Sequence, residues 1–94
     1  MNFIENNFEF DINKSISNKE KHGIDFIEAQ KLWQDTEVIE LQSKNQELEE
    51  NRFIVIGKIN NKFYSAIITY RGKNIRIISV RRSRKQEIEL YENN

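Results

Sequence analysis

The stretch RFIVIGKINNKFYSAIITYRGKNIRIISV, residues 52–80, decides the fold. It contains three runs rich in β-branched and aromatic residues: Arg52–Ile59, Phe63–Tyr70 and Ile75–Val80. Asn60-Asn61 and Gly72-Lys73 join them, and Asn and Gly are the residues that tolerate the positive φ of two-residue hairpin turns. Such turns fix the register. Arg52 falls opposite Thr69 and Thr69 opposite Arg76, which sets two guanidinium stems on one face about 10 Å apart. Ile54, Ile56, Ile67 and Ile78 share that face, while Phe53, Val55, Ile68 and Ile77 line the other. Both faces are apolar, so both need cover.

Upstream, Asp11 is placed to cap a helix that runs to about His22, with Gly23 at the left-handed position after it. Asp25 followed by Glu28 reads as the start of a second helix, along which Phe26, Ala29, Leu32 and Trp33 recur at helical spacing. Residues 37–41 read as a short strand and Ser43–Asn51 as a polar, acidic loop. Phe3-Ile4 and Phe8-Glu9-Phe10 suggest a further strand or hairpin about Asn6-Asn7. Ser83 with Gln86 fits a capping box that opens a last helix carrying Ile88 and Tyr91. The expected class is therefore α+β: N-terminal helices packed on a small antiparallel sheet, with a short C-terminal helix, in one domain over residues 1–94. Two N-terminal helices cover one face of the sheet. The last helix covers only part of the other, which leaves room for a protein partner.

With 94 residues, no cysteine and no proline, the chain offers no disulfide scaffold, thiolate metal site or cysteine nucleophile. No His, Asp or Glu grouping has metal-ligand spacing, and no cofactor motif is visible. There is no apolar run of membrane-spanning length and no signal-peptide pattern, so the expected setting is the cytoplasm, away from membranes. The 15 basic and 15 acidic residues cancel only in sum. Residues 1–51 carry a net charge of −7, residues 52–85 carry +10 with no Asp or Glu, and residues 86–94 carry −3. A block of that sign reads as a footprint for a polyanion, or as a surface that the acidic half neutralises by ion pairs.

Phe8-Glu9-Phe10-Asp11, Lys14, Asn18 and Lys21-His22-Gly23, followed by Ile24, Phe26, Glu28 and Ala29, form a recognisable pattern. So do Arg52-Phe53 entering a strand with Gly57, Arg76-Ile77-Ile78-Ser79 with Arg81, and Glu87 and Tyr91 in the tail. Together they resemble the BrnT family, ribonuclease toxins of bacterial type II toxin–antitoxin systems; Phe10 stands where the family often has Trp. The resemblance implies a RelE-like fold and metal-independent endoribonuclease activity that inhibits translation and growth. It also implies RNA as substrate, on or off the ribosome, and neutralisation by a ribbon-helix-helix antitoxin of the BrnA kind. Operator DNA would be reached only through that antitoxin. The other reading is a non-catalytic module that binds nucleic acid or antitoxin.

Metal-free RNA cleavage uses the substrate's own 2′-OH as nucleophile, so the protein must move protons and stabilise a crowded phosphate. Arg81, at the end of the last strand and beside a helix start, is the first choice for the phosphate; a salt bridge to the acidic half is the alternative. His22, the only imidazole, is a candidate general acid, or else a cap on its own helix. Arg52 and Arg76 could clamp a phosphate or pair with glutamates. Glu87 and Tyr91 are candidates for proton transfer, with Tyr91 also readable as a packing anchor. Lys21, Lys58, Lys62, Arg71, Arg82 and Lys85 are candidate RNA contacts.

Overall fold

The computed structural model describes residues 2–5, 7–43 and 51–94. Strands β1 (Asn2–Glu5), β2 (Phe8–Asp11), β3 (Ile39–Gln42), β4 (Phe53–Ile59), β5 (Lys62–Arg71) and β6 (Asn74–Arg82) form one sheet in the order β1-β2-β6-β5-β4-β3. Helices α1 (Ile12–His22) and α2 (Phe26–Ala29) lie between β2 and β3, and α3 (Lys85–Glu92) ends the chain. The class is α+β, as the sequence implies. Most of the expected loop, residues 44–50, lies outside the described residues.

Both central hairpins form about the expected turns. Asn60 and Asn61 both take positive φ, 51° and 66°, and Phe53 pairs with Ile68 through to Ile59 with Lys62. Thr69 pairs with Arg76, but β4 begins one residue after Arg52, and the Thr69 hydroxyl donates to the Asn51 carbonyl at 2.7 Å. The sheet is mixed rather than antiparallel: β2 runs parallel to β6, with Phe8 beside Ile75 and Glu9 beside Arg76. A parallel neighbour needs a long crossover, and here everything from α1 to β5 supplies it. Local turn chemistry carries no trace of that pairing.

One irregularity reorients the end of β6. Ile68 pairs with Ile77, whereas Ile67 pairs with Ser79, so Ile78 is an extra residue in the strand. Such a bulge shifts the alternation by one. Val80 thereby joins Ala66 on the helix-covered face, and Arg81 joins Ser65 on the opposite one. Unbroken alternation would put Val80 outside and aim Arg81 into the core.

The core lies between the sheet and the segment from α1 to the 3₁₀ helix Gln30–Gln34 that continues α2. Phe10 meets Phe26 edge-on at 5.6 Å, and Phe8 meets Trp33 at 4.8 Å. Asp25 and Glu28 close the expected capping box, each side chain accepting from the other's backbone N–H, at 2.7 and 2.9 Å. At Gly57 the 3₁₀ segment and the residues after it pack closely on β4. A Cβ there would stand 3.2 Å from the Asp35 carboxylate, Leu32 and Val38.

The last helix lies over part of the second face, as expected. Ile56 is fully buried, and Ile54, Ile67 and Ile78 are half-buried. Among the residues whose side chains are described, the large exposed apolar ones are Ile16, Ile27, Leu41, Tyr70 and Leu90, and of these Leu41 and Tyr70 belong to the sheet. The last helix also starts one residue later than Ser83 and Gln86 predict. Arg84 takes the cap position and its N–H donates to Glu87 at 2.8 Å, while Ser83 turns inward to Ser65.

Candidate active site

Arg81 and Glu87, nominated separately from the sequence, meet. The Arg81 Nη1 and Nη2 atoms donate to the Glu87 Oε1 and Oε2 atoms, both at 2.8 Å, in a two-pronged pair. Nη1 also donates to the Arg82 carbonyl at 3.2 Å. A guanidinium has five N–H donors. Three are engaged, so Nε–H and the second Nη2–H are left without a partner among the described residues, and they lie on one edge. That edge has the spacing of two phosphate oxygens.

Glu87 is itself held from several sides. Its Oε1 accepts from the Ser65 hydroxyl at 2.9 Å and from the Arg84 N–H, and Ser65 and Ser83 share a hydrogen bond of 2.7 Å. Since Ser65 donates to the carboxylate, Ser83 donates to Ser65. Burial alone would raise the Glu87 pKa, but the Arg81 guanidinium, the Arg84 N–H and the Ser65 hydroxyl together hold it down at about 2. The same pair raises the Arg81 pKa. A carboxylate so acidic is a poor proton acceptor near neutrality, and its two oxygens hold the guanidinium in place.

The pair has a consequence for stability. A carboxyl depressed in the folded state contributes stability above its unfolded pKa, near 4.5, and that stability is lost as pH falls toward about 2. Glu87→Gln should therefore flatten the stability–pH curve between about pH 4.5 and pH 2, measured by urea unfolding at each pH. A curve as steep as the parent's would assign the acid sensitivity to other carboxyls.

The remaining candidates are dispersed. Arg76 pairs with Glu9 at 2.9 Å, a buried carboxylate from the acidic half that also receives the Asn74 amide. Arg52 is half-buried, and its Nε has no hydrogen-bond partner among the described residues. The Tyr91 hydroxyl donates to Asp35 at 2.8 Å, and its ring packs edge-on against Phe63 at 5.3 Å. Burial and the Asp35 carboxylate push its phenol up to about 12, and its contacts tie α3 to Asp35 and Phe63. Lys58 lies over the Phe63 ring at 5.0 Å and Arg82 over Tyr64 at 5.6 Å. Lys21, Lys62, Arg71 and Lys85 are exposed. His22 is exposed at the last position of α1, where the Gly23 N–H, not the imidazole, caps the helix by donating to the Lys19 carbonyl at 2.9 Å. It belongs to the helical layer, and no contact among the described residues links it to Arg81.

Three residues of the site had no place among the sequence candidates. Ser65 and Ser83 orient Glu87. Asn18 ties α1 to β6: its amide donates to the carbonyls of Ile24 and Val80, both at 2.8 Å, and its oxygen accepts from the Val80 N–H at 3.2 Å. It pairs with the backbone as a neighbouring strand would, on the stretch of β6 beyond its pairing with β2. An Asn in the middle of a helix is a signal of such a role, because intrinsic propensity disfavours it there.

In a small α+β protein, an arginine held by a carboxylate at the end of a strand, inside a stretch without acidic residues, presents a donor edge that fits a phosphate group. The family model for the ribonuclease toxin BrnT of type II toxin–antitoxin systems matches residues 10–87, and the chain belongs to that family. No curated protein matches the chain. The matched span contains both Arg81 and Glu87, and it stops short of Tyr91.

Proposed function

We propose that the protein is a metal-independent endoribonuclease whose cleavage of RNA arrests translation and growth, with the RelE-like mode of attack by the substrate's own 2′-OH. The observation that carries the reading is the open Nε–Nη2 edge of Arg81, fixed by Glu87. Preorganised donors of this kind stabilise charge where it develops, at no reorganisation cost during reaction. Arg81 holds the scissile phosphate, and Glu87, with Ser65 and Ser83 behind it, is its positioning residue. Arg52 and Arg76 contact flanking phosphates, as do Lys21, Lys58, Lys62, Arg71, Arg82 and Lys85 around the rim. Tyr91 anchors α3, and His22, in the helical layer away from Arg81, contacts RNA outside the scissile phosphate.

The setting is the cytoplasm, and the partner is a ribbon-helix-helix antitoxin of the BrnA kind, through which the complex reaches operator DNA. Among the described residues no helix is long and apolar enough to cross a membrane, and no group of three or more His, Asp or Glu residues is placed to hold a metal ion.

The test is cleavage of a single-stranded RNA by the purified protein, with and without excess chelator. Equal rates are expected, with a cyclic phosphate or 3′-phosphate product. Activity lost in chelator and restored by a divalent cation would refute metal independence. Binding without cleavage would favour the non-catalytic module. His22→Gln should leave stability within about 0.5 kcal/mol, as for exposed substitutions generally, and the cleavage rate close to the parent's. A cleavage rate lowered tenfold or more in the folded variant would bring His22 into the mechanism.

A further inference from the structure

β5 runs on to Arg71, beyond Ile68 opposite the first residue of β4, Phe53. The overhang leaves a notch of about 470 Å³ lined by Asn51, Phe53, Thr69, Tyr70 and Arg71. Tyr70 is the unusual member. It is 45% exposed, yet its ring is fixed twice: its hydroxyl donates to Glu40 on β3, and Phe53 packs against it edge-on with centroids 5.3 Å apart. Burial and the Glu40 carboxylate raise its phenol to about 12, so it stays a neutral ring at any working pH. An exposed aromatic that is already immobilised loses little conformational entropy when something flat stacks on it. Around it, Asn51 and Thr69 supply polar groups, and Glu40 is engaged by the Tyr70 hydroxyl.

We propose that this notch is a binding site for one nucleobase of the RNA, stacked on Tyr70. The inference rests on the RNA-cleaving reading above and adds to it a second point of attachment. Every base has a π-face, and single-stranded RNA is held by combining such platforms with cationic backbone contacts. Along β5, Tyr70 is five residues from Ser65, the partner of Arg81, which is roughly 17 Å at strand spacing, and the odd separation sets the two on opposite faces of the sheet. An RNA strand that reaches both must pass around the end of the sheet, so the linking segment is longer than that straight distance. A base held in the notch therefore fixes how far from it the cleaved bond lies, and it makes the notch a determinant of where the chain is cut.

Short RNAs methylated at every 2′-oxygen cannot be cleaved, and they can carry a 2-aminopurine at each position in turn. Quenching of that fluorophore by stacking is the readout, with the parent, Tyr70→Phe and Tyr70→Ala compared after circular dichroism shows each to be folded. The expected result is quenching at one position in the parent and in Tyr70→Phe, lost in Tyr70→Ala together with about 5- to 100-fold in affinity. If Tyr70→Ala binds and quenches as the parent does, the base lies elsewhere and the notch proposal fails while the ribonuclease reading stands. If the parent binds none of these RNAs and cuts no unmodified RNA, both fall.

Discussion

Arg81→Ala is expected to lower the rate of RNA cleavage by about 10²–10³-fold, the usual effect of losing one oriented donor at a developing charge. The prediction depends on geometry more than on charge. Glu87 accepts one hydrogen bond from each terminal nitrogen, and what remains on Arg81 is a fork, not a point charge. Arg81→Lys should therefore recover little activity, because an ammonium cannot both pair with Glu87 and span two phosphate oxygens. Loss of stability is a separate matter. Removing the arginine leaves Glu87 mostly buried and without its counter-ion, which costs about 1–3 kcal/mol. The double variant Arg81→Met with Glu87→Gln removes that burden and should fold better than Arg81→Ala alone, while staying as inactive. Cleavage rates and urea melts on the three proteins separate the two effects. A folded Arg81→Ala protein that cuts RNA at the parent's rate would take Arg81 out of the site.

Asn18→Ala should produce the largest loss of stability from any single polar substitution in this molecule, about 3–5 kcal/mol. Asn18 is buried, and its amide serves the Ile24 carbonyl and both backbone groups of Val80. Alanine leaves all three without partners in a dry region, where each unsatisfied group costs about 1–3 kcal/mol, less than additively when neighbours relax together. For a domain of this size a loss of 3 kcal/mol corresponds to a fall in Tm of more than about 10 °C. Asn18→Asp is the sharper test. It keeps the acceptor for the Val80 N–H and turns a carboxylate oxygen toward two carbonyls, so it should be no better than alanine near neutral pH. A melting temperature within a few degrees of the parent's in both variants would show that β6 does not depend on this link. Because Val80 precedes Arg81, Asn18→Ala should also lower activity at temperatures where the protein remains folded.

The hairpins around Asn60-Asn61 and Gly72-Lys73 were readable from residues 52–80 because their causes are local: positive-φ turn residues, strand alternation and fixed loop length. The capping box of Asp25 and Glu28 and the Gly23 terminus of α1 were readable for the same reason, since each closes within four residues. The acidic and basic blocks were also plain. Which carboxylate answers which arginine was not, because Glu9 reaches Arg76 through the parallel pairing of β2 and β6, and Glu87 reaches Arg81 through the return of α3 over the sheet.

The sequence alone thus determined the strands, their hairpin register, the caps of the first two helices and the residue types from which a phosphate site can be built. Tertiary structure decided the site itself. The extra residue at Ile78 shifts the alternation of β6, brings Val80 into the core and turns Arg81 out beside Ser65 and Glu87. Nothing in residues 75–82 announces that shift, since an unbroken strand satisfies the same local preferences. Its cause is nonlocal: Val80 must fill the core and meet Asn18, and only a strand with one residue more than its partner can do that and still aim Arg81 at Glu87.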